Sequence, residues 1–189
     1  MVILSAIWRF LVDFAQTIII VGVIGVFIYV LVLQPHQVAG FSMFPTYNDK
    51  DITISYLPDV RFNNLKRGDV IVFHAPPDHE KLYIKRIVGL PGDSVRIQDG
   101  SVYLNNQLLD ESSYLQPTVR TNPEAFLADG QTVVVPPDSI FAMGDNRPNS
   151  SDSRDFGFVT KDLLVGKTIA RIWPLDTFEI IHNPFEVQQ

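Results

Sequence analysis

The 189-residue chain contains no cysteine, so it can form neither a disulfide framework nor a metal site built from thiolates. Its four histidines are scattered, and no cluster of histidine and carboxylate side chains indicates another kind of metal site. Basic residues are also scarce: the chain has 15 Lys and Arg against 21 Asp and Glu, which gives a net charge of -6. Such an acidic chain is a poor partner for nucleic acid. We expect no metal, no cofactor and no nucleic acid partner.

Charge is absent from residues 14–33, which are dominated by isoleucine, valine, leucine and phenylalanine. A run of this length can cross a bilayer as a helix. Arg9 precedes the run, and the next Lys or Arg is Lys50, so the positive-inside rule places the amino terminus in the cytoplasm and the rest outside. We predict that residues 1–34 form an amino-terminal segment with a single transmembrane helix.

Two other interpretations of the apolar run stay open. The small residues Val38, Ala39 and Gly40 could be the cleavage site of a removable signal peptide, although the run is longer than a typical apolar signal core. A buried helix of a soluble protein is the other alternative.

The rest of the chain has the pattern of a mainly β protein. Runs rich in β-branched and aromatic residues predict strands at residues 52–56, 70–73, 82–88, 94–98, 133–135, 140–143 and 168–173. Asp99 and Gly100 predict a tight hairpin turn between residues 95–97 and 102–104. Thr160 as a cap and Gly166 beyond the end predict a short helix over residues 160–164.

A serine follows the apolar run closely, in the stretch GFSMFPT at residues 40–46. Ser42 would therefore be a nucleophile close to a bilayer surface, as in a membrane-tethered hydrolase. None of the histidines His36, His74, His79 and His182 lies in a motif that pairs with a serine, although a Ser/His/Asp triad stays open.

Lys85 is the better candidate for the base, in the strand-like stretch KLYIKRIVG at residues 81–89. Strand alternation puts Lys85 and Arg86 on opposite faces and does not choose between them. Chemistry favours the lysine, because arginine stays protonated whereas a desolvated lysine can lose its proton. Lowering a lysine pKa from about 10.4 to about 7 costs roughly 4 to 5 kcal/mol and requires a dry, apolar pocket. The alternative is a lysine on an edge strand whose amine reaches water.

Four ordered stretches resemble the boxes of bacterial signal peptidase I. They are the serine motif, RGDVIVF at residues 67–73, YIKRIVGLPGD at residues 83–93 and GDNRPNSSDSR at residues 144–154. The likeness extends from the membrane segment to about Leu175. It implies a membrane-anchored serine endopeptidase that removes signal peptides from exported preproteins.

The resemblance also implies roles for individual residues. Ser42 would be the nucleophile and Lys85 the general base, with the Ser150 hydroxyl orienting the lysine amine. Some family members carry a serine two residues before the nucleophile, where this chain has Gly40, so the oxyanion would depend mainly on backbone N–H groups such as that of Ser42.

Three further residues would support the loop that carries Ser150. Asp152 and Arg154 would form an ion pair that braces it, and Gly144 would let it pass close to the lysine. Without the resemblance, the two charges would be interpreted as a solvated surface pair of little energetic value.

Substrate recognition in this family takes place between the segment that leads to the nucleophile and the strand that leads to the lysine, here residues 36–40 and 81–85. A peptide would add there as a strand, and small pockets would favour small residues at the first and third positions before the cut. The expected substrate-binding residues are Gln37, Val38, Ala39, Gly40, Tyr83 and Ile84. Phe41 and Phe44 flank the nucleophile and would either dip into lipid or pack in the core.

The resemblance predicts a transmembrane helix followed by an antiparallel β catalytic domain at residues 35–96 and 131–189, with a small inserted β hairpin subdomain at residues 97–130. The expected location is the bacterial cytoplasmic membrane, with the catalytic domain on the outer face and with signal peptides and lipid as partners.

Other functions stay open at this point. Self-cleaving repressors also use a Ser/Lys dyad, but this sequence shows a membrane span and no DNA-binding segment before it. A membrane-anchored β domain that binds exported peptides without catalysis is the non-enzymatic alternative. Penicillin-binding chemistry is disfavoured because Pro45, not lysine, stands three residues after Ser42.

Overall fold

One long helix and two antiparallel sheets make up the chain in the computed structural model, which describes residues 2–185, with side chains from residue 5 onward. The helices are α1 (Val2–Leu31), α2 (Pro58–Arg61) and α3 (Ser153–Phe156). The strands are β1 (Leu33–Gln37), β2 (Ile52–Tyr56), β3 (Val70–Ala75), β4 (Asp78–Gly89), β5 (Ser94–Gln98), β6 (Ser101–Leu104), β7 (Gln107–Leu108), β8 (Thr132–Val134), β9 (Ser139–Met143), β10 (Val159–Thr160), β11 (Leu164–Trp173) and β12 (Glu179–Ile180). The predicted mainly β fold with an amino-terminal helix is confirmed.

Helix α1 contains all but the last two residues of the predicted apolar run; it begins earlier than the run and ends at Leu31, two residues before β1. Its Ser5–Leu31 part has a mean hydropathy of 2.5 and is long and apolar enough to cross a membrane, and none of that stretch is buried against the protein. The last two residues of the predicted span, 32 and 33, leave the helix because Leu33 pairs with Tyr56 in the sheet.

The large sheet has the strand order β1-β2-β11-β3-β4-β9-β10, with β12 paired to β11. All its pairs are antiparallel. Strand β11, which comes late in the chain, lies between β2 and β3 and so joins the segment with Ser42 to the hairpin with Lys85.

The small sheet has the order β7-β6-β5-β8 and packs on the large one through a shared apolar core. That core includes Ile97 and Val102 from the small sheet and Val88, Phe141 and Met143 from the large one. The division of the chain at residues 34, 96 and 130 stays a prediction, and its ends at residues 1 and 186–189 lie outside the described part.

Two local predictions are tested by the structure: a hairpin turn is confirmed in full and a short helix in part. Strands β5 and β6 pair Gln98 with Ser101 around Asp99 and Gly100, both with the positive φ that this tight hairpin turn requires. The predicted short helix at residues 160–164 is confirmed in part, because a shorter helical turn is present with Thr160 at its N-cap position. It is one 3₁₀ turn (Lys161–Leu163) without a side-chain cap from Thr160, because β11 starts at Leu164 and pairs there with Phe73.

Candidate active site

Ser42 lies in the turn segment that connects β1 to β2. The neighbouring Met43 and Tyr47 are fully buried, and they pack with Val38 and Val70. On the other side, Gly40 has a φ of 86° and donates its N–H to Asp49 at 2.7 Å. Ser42 is thus the partly exposed member of a turn that buried side chains hold in place.

Lys85 reaches Ser42 from strand β4. Its Nζ lies 2.7 Å from Ser42 Oγ and 3.1 Å from the carbonyl oxygen of Ile84. The amine also lies 5.1 Å from the centre of the Tyr83 ring. The lysine is only 3% exposed, so its amine contacts Ser42 in a nearly dry environment.

Burial lowers the pKa of Lys85 to about 8, although Asp152 and Asp145 act in the opposite direction. The positive charge of Arg154 also contributes to the lowering. A shift of this size costs about 3 kcal/mol of folding free energy at neutral pH. Because the folded-state pKa is the lower one, this cost is full below about pH 8 and disappears as the pH rises toward the ordinary lysine value.

Arg86 is as buried as Lys85 but has a carboxylate partner. Its guanidinium makes two hydrogen bonds to Asp145, at 2.9 and 2.6 Å, and a third to the Gly68 carbonyl oxygen at 2.8 Å. No carboxylate forms a salt bridge with Lys85 in the part of the chain that the structure describes. The Asp145 carboxylate thus compensates the buried charge of Arg86, whereas the buried Lys85 amine has no such partner in contact.

The loop at residues 144–154, here called the 144–154 loop, is braced by a fully buried ion pair. Arg154 Nε and one terminal nitrogen each lie 2.8 Å from an Asp152 oxygen. Burial alone would raise the pKa of Asp152, but Arg154 and the Gly144 N–H outweigh it, so this pKa lies below its usual range. The same guanidinium donates to the carbonyl oxygens of Arg147 and Ser150.

At Gly144 this loop passes close to Ser42. A Cβ atom at this position would overlap both the Ser150 hydroxyl and the Ser42 carbonyl oxygen. Ser150 is buried, and the group on which its hydroxyl acts is the Asp152 carboxylate, whose pKa it helps to lower, rather than the Lys85 amine. The predicted hydrogen bond from Ser150 to Lys85 is therefore not formed in this structure, and its orienting role stays a prediction.

Asn146 is a site residue that the sequence did not single out. Its backbone N–H donates to the Ser42 carbonyl oxygen at 3.0 Å, and its side-chain amide donates to the Phe41 carbonyl oxygen at 3.0 Å. Its place directly after Gly144 and Asp145 in a motif was the available signal. Asn146 thus connects the 144–154 loop to the backbone at Phe41 and Ser42.

A groove of about 470 Å³ leads to Ser42 and Lys85. Its walls include all six predicted substrate-binding residues, Gln37, Val38, Ala39, Gly40, Tyr83 and Ile84. Strand β1 ends the sheet, and β9 pairs with β4 only from Arg86 onward. The outer edge of β1 and the edge of β4 before Arg86 thus carry no neighbouring strand within residues 2–185.

The contacts of the described residues favour Lys85 over a histidine as the partner of Ser42. In the described chain its hydroxyl is hydrogen-bonded to Lys85 and to no histidine. His36 lines the groove, and its Nε2 atom is buried without a hydrogen-bond partner among the described residues. Burial lowers the pKa of His36. The His74 ring contacts the carbonyl oxygen of His79.

Comparison with known proteins gives concordant matches. A family model described as signal peptidase, peptidase S26, matches residues 11–173. Signal peptidase IB of Staphylococcus aureus strain MRSA252 is 30% identical over 187 residues, covering 93% of this chain and 94% of that protein. The probable signal peptidase I-2 of Synechocystis sp. is 33% identical over 180 residues, covering 92% of this chain and 78% of that protein. A crystal structure of a signal peptidase I from Enterococcus faecalis V583 has 29% identity and a TM-score of 0.44, covering 55% of this chain and 95% of that one.

Proposed function

Because this chain belongs to the peptidase S26 family of signal peptidases, we propose that it removes signal peptides from exported preproteins, with Ser42 as nucleophile and Lys85 as general base. The observation that carries this proposal is the 2.7 Å contact between Lys85 Nζ and Ser42 Oγ at the end of a peptide-sized groove. A neutral amine at this distance can accept the serine proton directly.

The reaction proceeds in two halves. In the first, Ser42 Oγ attacks the scissile carbonyl carbon while Lys85 takes the serine proton, and the resulting ammonium then protonates the departing amine of the mature protein. In the second, Lys85 deprotonates a water that attacks the acyl-serine ester, and the proton returns to Ser42 Oγ as the signal peptide leaves with a free carboxylate.

Backbone groups would stabilise the oxyanion. The Gly40 N–H already donates to Asp49, and Gly40 has no side-chain hydroxyl to offer. We therefore assign the Ser42 N–H to the oxyanion, with its position held by the bond from Asn146 to the Ser42 carbonyl oxygen.

The substrate would bind as an extended strand in the groove. The unpaired edges of β1 and β4 offer backbone hydrogen-bonding groups to both sides of a bound peptide. Alternate side chains of the substrate would point into the walls of the groove. We propose small residues at the first and third positions before the cut. The non-catalytic alternative, peptide binding alone, uses the same groove and is distinguished only by turnover.

We propose that α1 anchors the enzyme in the bacterial cytoplasmic membrane, with the catalytic domain outside. Its 27-residue apolar part covers about 40 Å, enough for a hydrocarbon core of about 30 Å. Phe41 and Phe44 are 61% and 49% exposed beside the nucleophile and would contact lipid. Removal of α1 by cleavage near residues 38–40 is disfavoured because it would also remove β1 from the sheet.

Incubation of the detergent-solubilised protein with a preprotein, followed by sequencing of the new amino terminus, tests the proposal. We expect one cut, after a small residue at the end of the signal peptide. Binding of the preprotein without any cleavage would instead support the non-catalytic alternative.

The rate of cleavage should rise with pH. With a Lys85 pKa of about 8, about a tenth of the enzyme has the neutral amine at pH 7 and about half at pH 8. Since the neutral form grows as the pH rises through this pKa, kcat/KM should increase about fivefold over that interval and level off above about pH 9. A flat or falling pH–rate profile, with the protein intact, would contradict the assignment of Lys85 as base.

Removal of α1 should weaken cleavage without abolishing it. A truncated protein starting at Val32 keeps β1 and the bond from the Leu57 N–H to the Val32 carbonyl oxygen. It should cut a soluble signal-peptide mimic like the full chain, but cut a membrane-inserted preprotein with a lower kcat/KM, because it has lost the effective concentration that the anchor provides. Both proteins are assayed with and without phospholipid, and a folded truncated protein that is inactive in every condition would show that α1 shapes the site.

A further inference from the structure

The segment at residues 109–131, between β7 and β8, contributes nothing to the walls of the substrate groove. Here it is called the connecting segment. It is mostly polar and irregular, and the sequence predicted only that most of it belongs to an inserted subdomain, with no part in the site. It nevertheless contacts both ends of the 144–154 loop, which makes it a candidate for positioning the catalytic groups.

Glu111 of the connecting segment neutralises a buried arginine of that loop. Arg147 is 1% exposed, and its guanidinium forms a bidentate ion pair with Glu111. One terminal nitrogen lies 3.0 Å from Oε2, and the other is hydrogen-bonded to Oε1. The guanidinium also donates to the Thr121 hydroxyl and, through Nε, to the Gly144 carbonyl oxygen at 3.0 Å. A buried guanidinium in this position depends on its carboxylate partner.

Tyr114 connects the same carboxylate to the arginine beside Lys85. The Tyr114 hydroxyl donates to Glu111 Oε1 at 2.7 Å, and its ring lies 4.3 Å from the guanidinium carbon of Arg86. Arg86 in turn pairs with Asp145 of the loop. Glu111 therefore belongs to a continuous network that includes the arginines at positions 86 and 147.

The far end of the loop is held by the same segment. Arg154 donates to the Asn122 carbonyl oxygen at 3.1 Å, and its own carbonyl oxygen accepts from the N–H groups of Phe126 and Leu127 at 2.8 and 3.0 Å. Asn146, which holds the Ser42 carbonyl oxygen, directly precedes Arg147, the first of these two attachments. Displacement of the loop would consequently move the nucleophile.

We infer that Glu111 is a positioning residue for cleavage, which holds the 144–154 loop against Ser42 and Lys85 through its pair with Arg147. The inference rests on the proposed function of the Ser42 and Lys85 site. Glu111 acts only through the loop, because it lines no part of the groove.

The pH–rate profile distinguishes this role from a general loss of stability. The charged groups that face Lys85 are Asp145, Asp152 and Arg154, all from the loop, and the Tyr83 ring packs on the amine from β4. Burial is the main reason that Lys85 titrates low, so a loop that detaches and admits water should raise the midpoint of the profile. A protein that is merely less stable, assayed where it is folded, would keep its midpoint.

The test compares Glu111→Gln and Glu111→Ala with the control Glu124→Gln, an exposed carboxylate of the same segment. For each protein kcat, KM and the pH–rate profile are measured with a soluble signal-peptide mimic, and folding is checked by thermal unfolding. We expect kcat to fall about tenfold for the glutamine variant and up to about a hundredfold for the alanine variant, with KM within about twofold and the midpoint moved to higher pH. Glu124→Gln should match the parent protein.

Several results would overturn the inference. One is a folded Glu111→Gln variant whose kcat and pH–rate midpoint equal those of the wild-type protein. Another is a variant whose kcat is lower but whose pH–rate midpoint is unchanged. If Glu111→Ala fails to fold, the glutamine variant, which keeps the shape and the acceptor oxygen, decides alone. Ser42→Ala is assayed in parallel as a control for the proposed function. Residual cleavage by Ser42→Ala would reject the proposed function itself. If Ser42→Ala is inactive and the Glu111 variants are unaffected, only the positioning role is rejected.

Discussion

Replacement of Ser42 or Lys85 by alanine is expected to reduce cleavage of a preprotein by at least about 10³-fold while the protein stays folded. In the proposed mechanism, Ser42→Ala removes the attacking oxygen, and Lys85→Ala removes the amine 2.7 Å away that would accept its proton. Because the two side chains act as one unit, the double variant should be no worse than either single variant. Initial rates in detergent, with the new amino terminus sequenced, measure the effect.

Two comparison variants sharpen this test. Lys161→Ala removes a lysine from a largely exposed ion pair with Asp138 and should leave the rate unchanged. Ser150→Ala should be milder than either dyad variant, since its hydroxyl would only orient the amine. If Lys85→Ala were folded and still turned over above background, Lys85 would not be the base.

The second large effect is on stability. Asp152→Ala should lower the free energy of unfolding by about 3 to 5 kcal/mol, because it leaves the Arg154 guanidinium buried without its carboxylate. The Gly144 N–H would lose its acceptor in the same variant. Denaturant unfolding followed by circular dichroism gives the value.

Asp78→Ala is the matched control for this prediction. Asp78 pairs with Lys81 on the surface, where solvent screens the two charges, so its loss should leave the free energy of unfolding almost unchanged. If Asp152→Ala were as stable as Asp78→Ala, the buried ion pair would not be what braces the 144–154 loop.

Much of the fold follows from local pattern. The strands at residues 52–56 and 94–98 were predicted with the observed bounds, because they contain β-branched residues and are flanked by turn signals. Short strands such as β7, β10 and β12 were missed, since two residues carry too little pattern to be recognised.

The candidate site shows where local pattern stops. Alternation along β4 placed Lys85 and Arg86 on opposite faces, but it could not show that both are buried. The two buried cations differ in their contacts, because Asp145, 59 residues further along the chain, pairs with Arg86. Such a pairing depends on β9 lying beside β4 and has no local signal.

By itself, the sequence determined the mainly β character, the apolar helix and the four motif stretches, because these depend on residue type and short-range spacing. Tertiary structure alone decided that Lys85 reaches Ser42, since β11 must first join β2 to β3. It also decided that Lys85 titrates low and that Glu111 meets Arg147, because burial and charge pairing arise only when distant segments pack together.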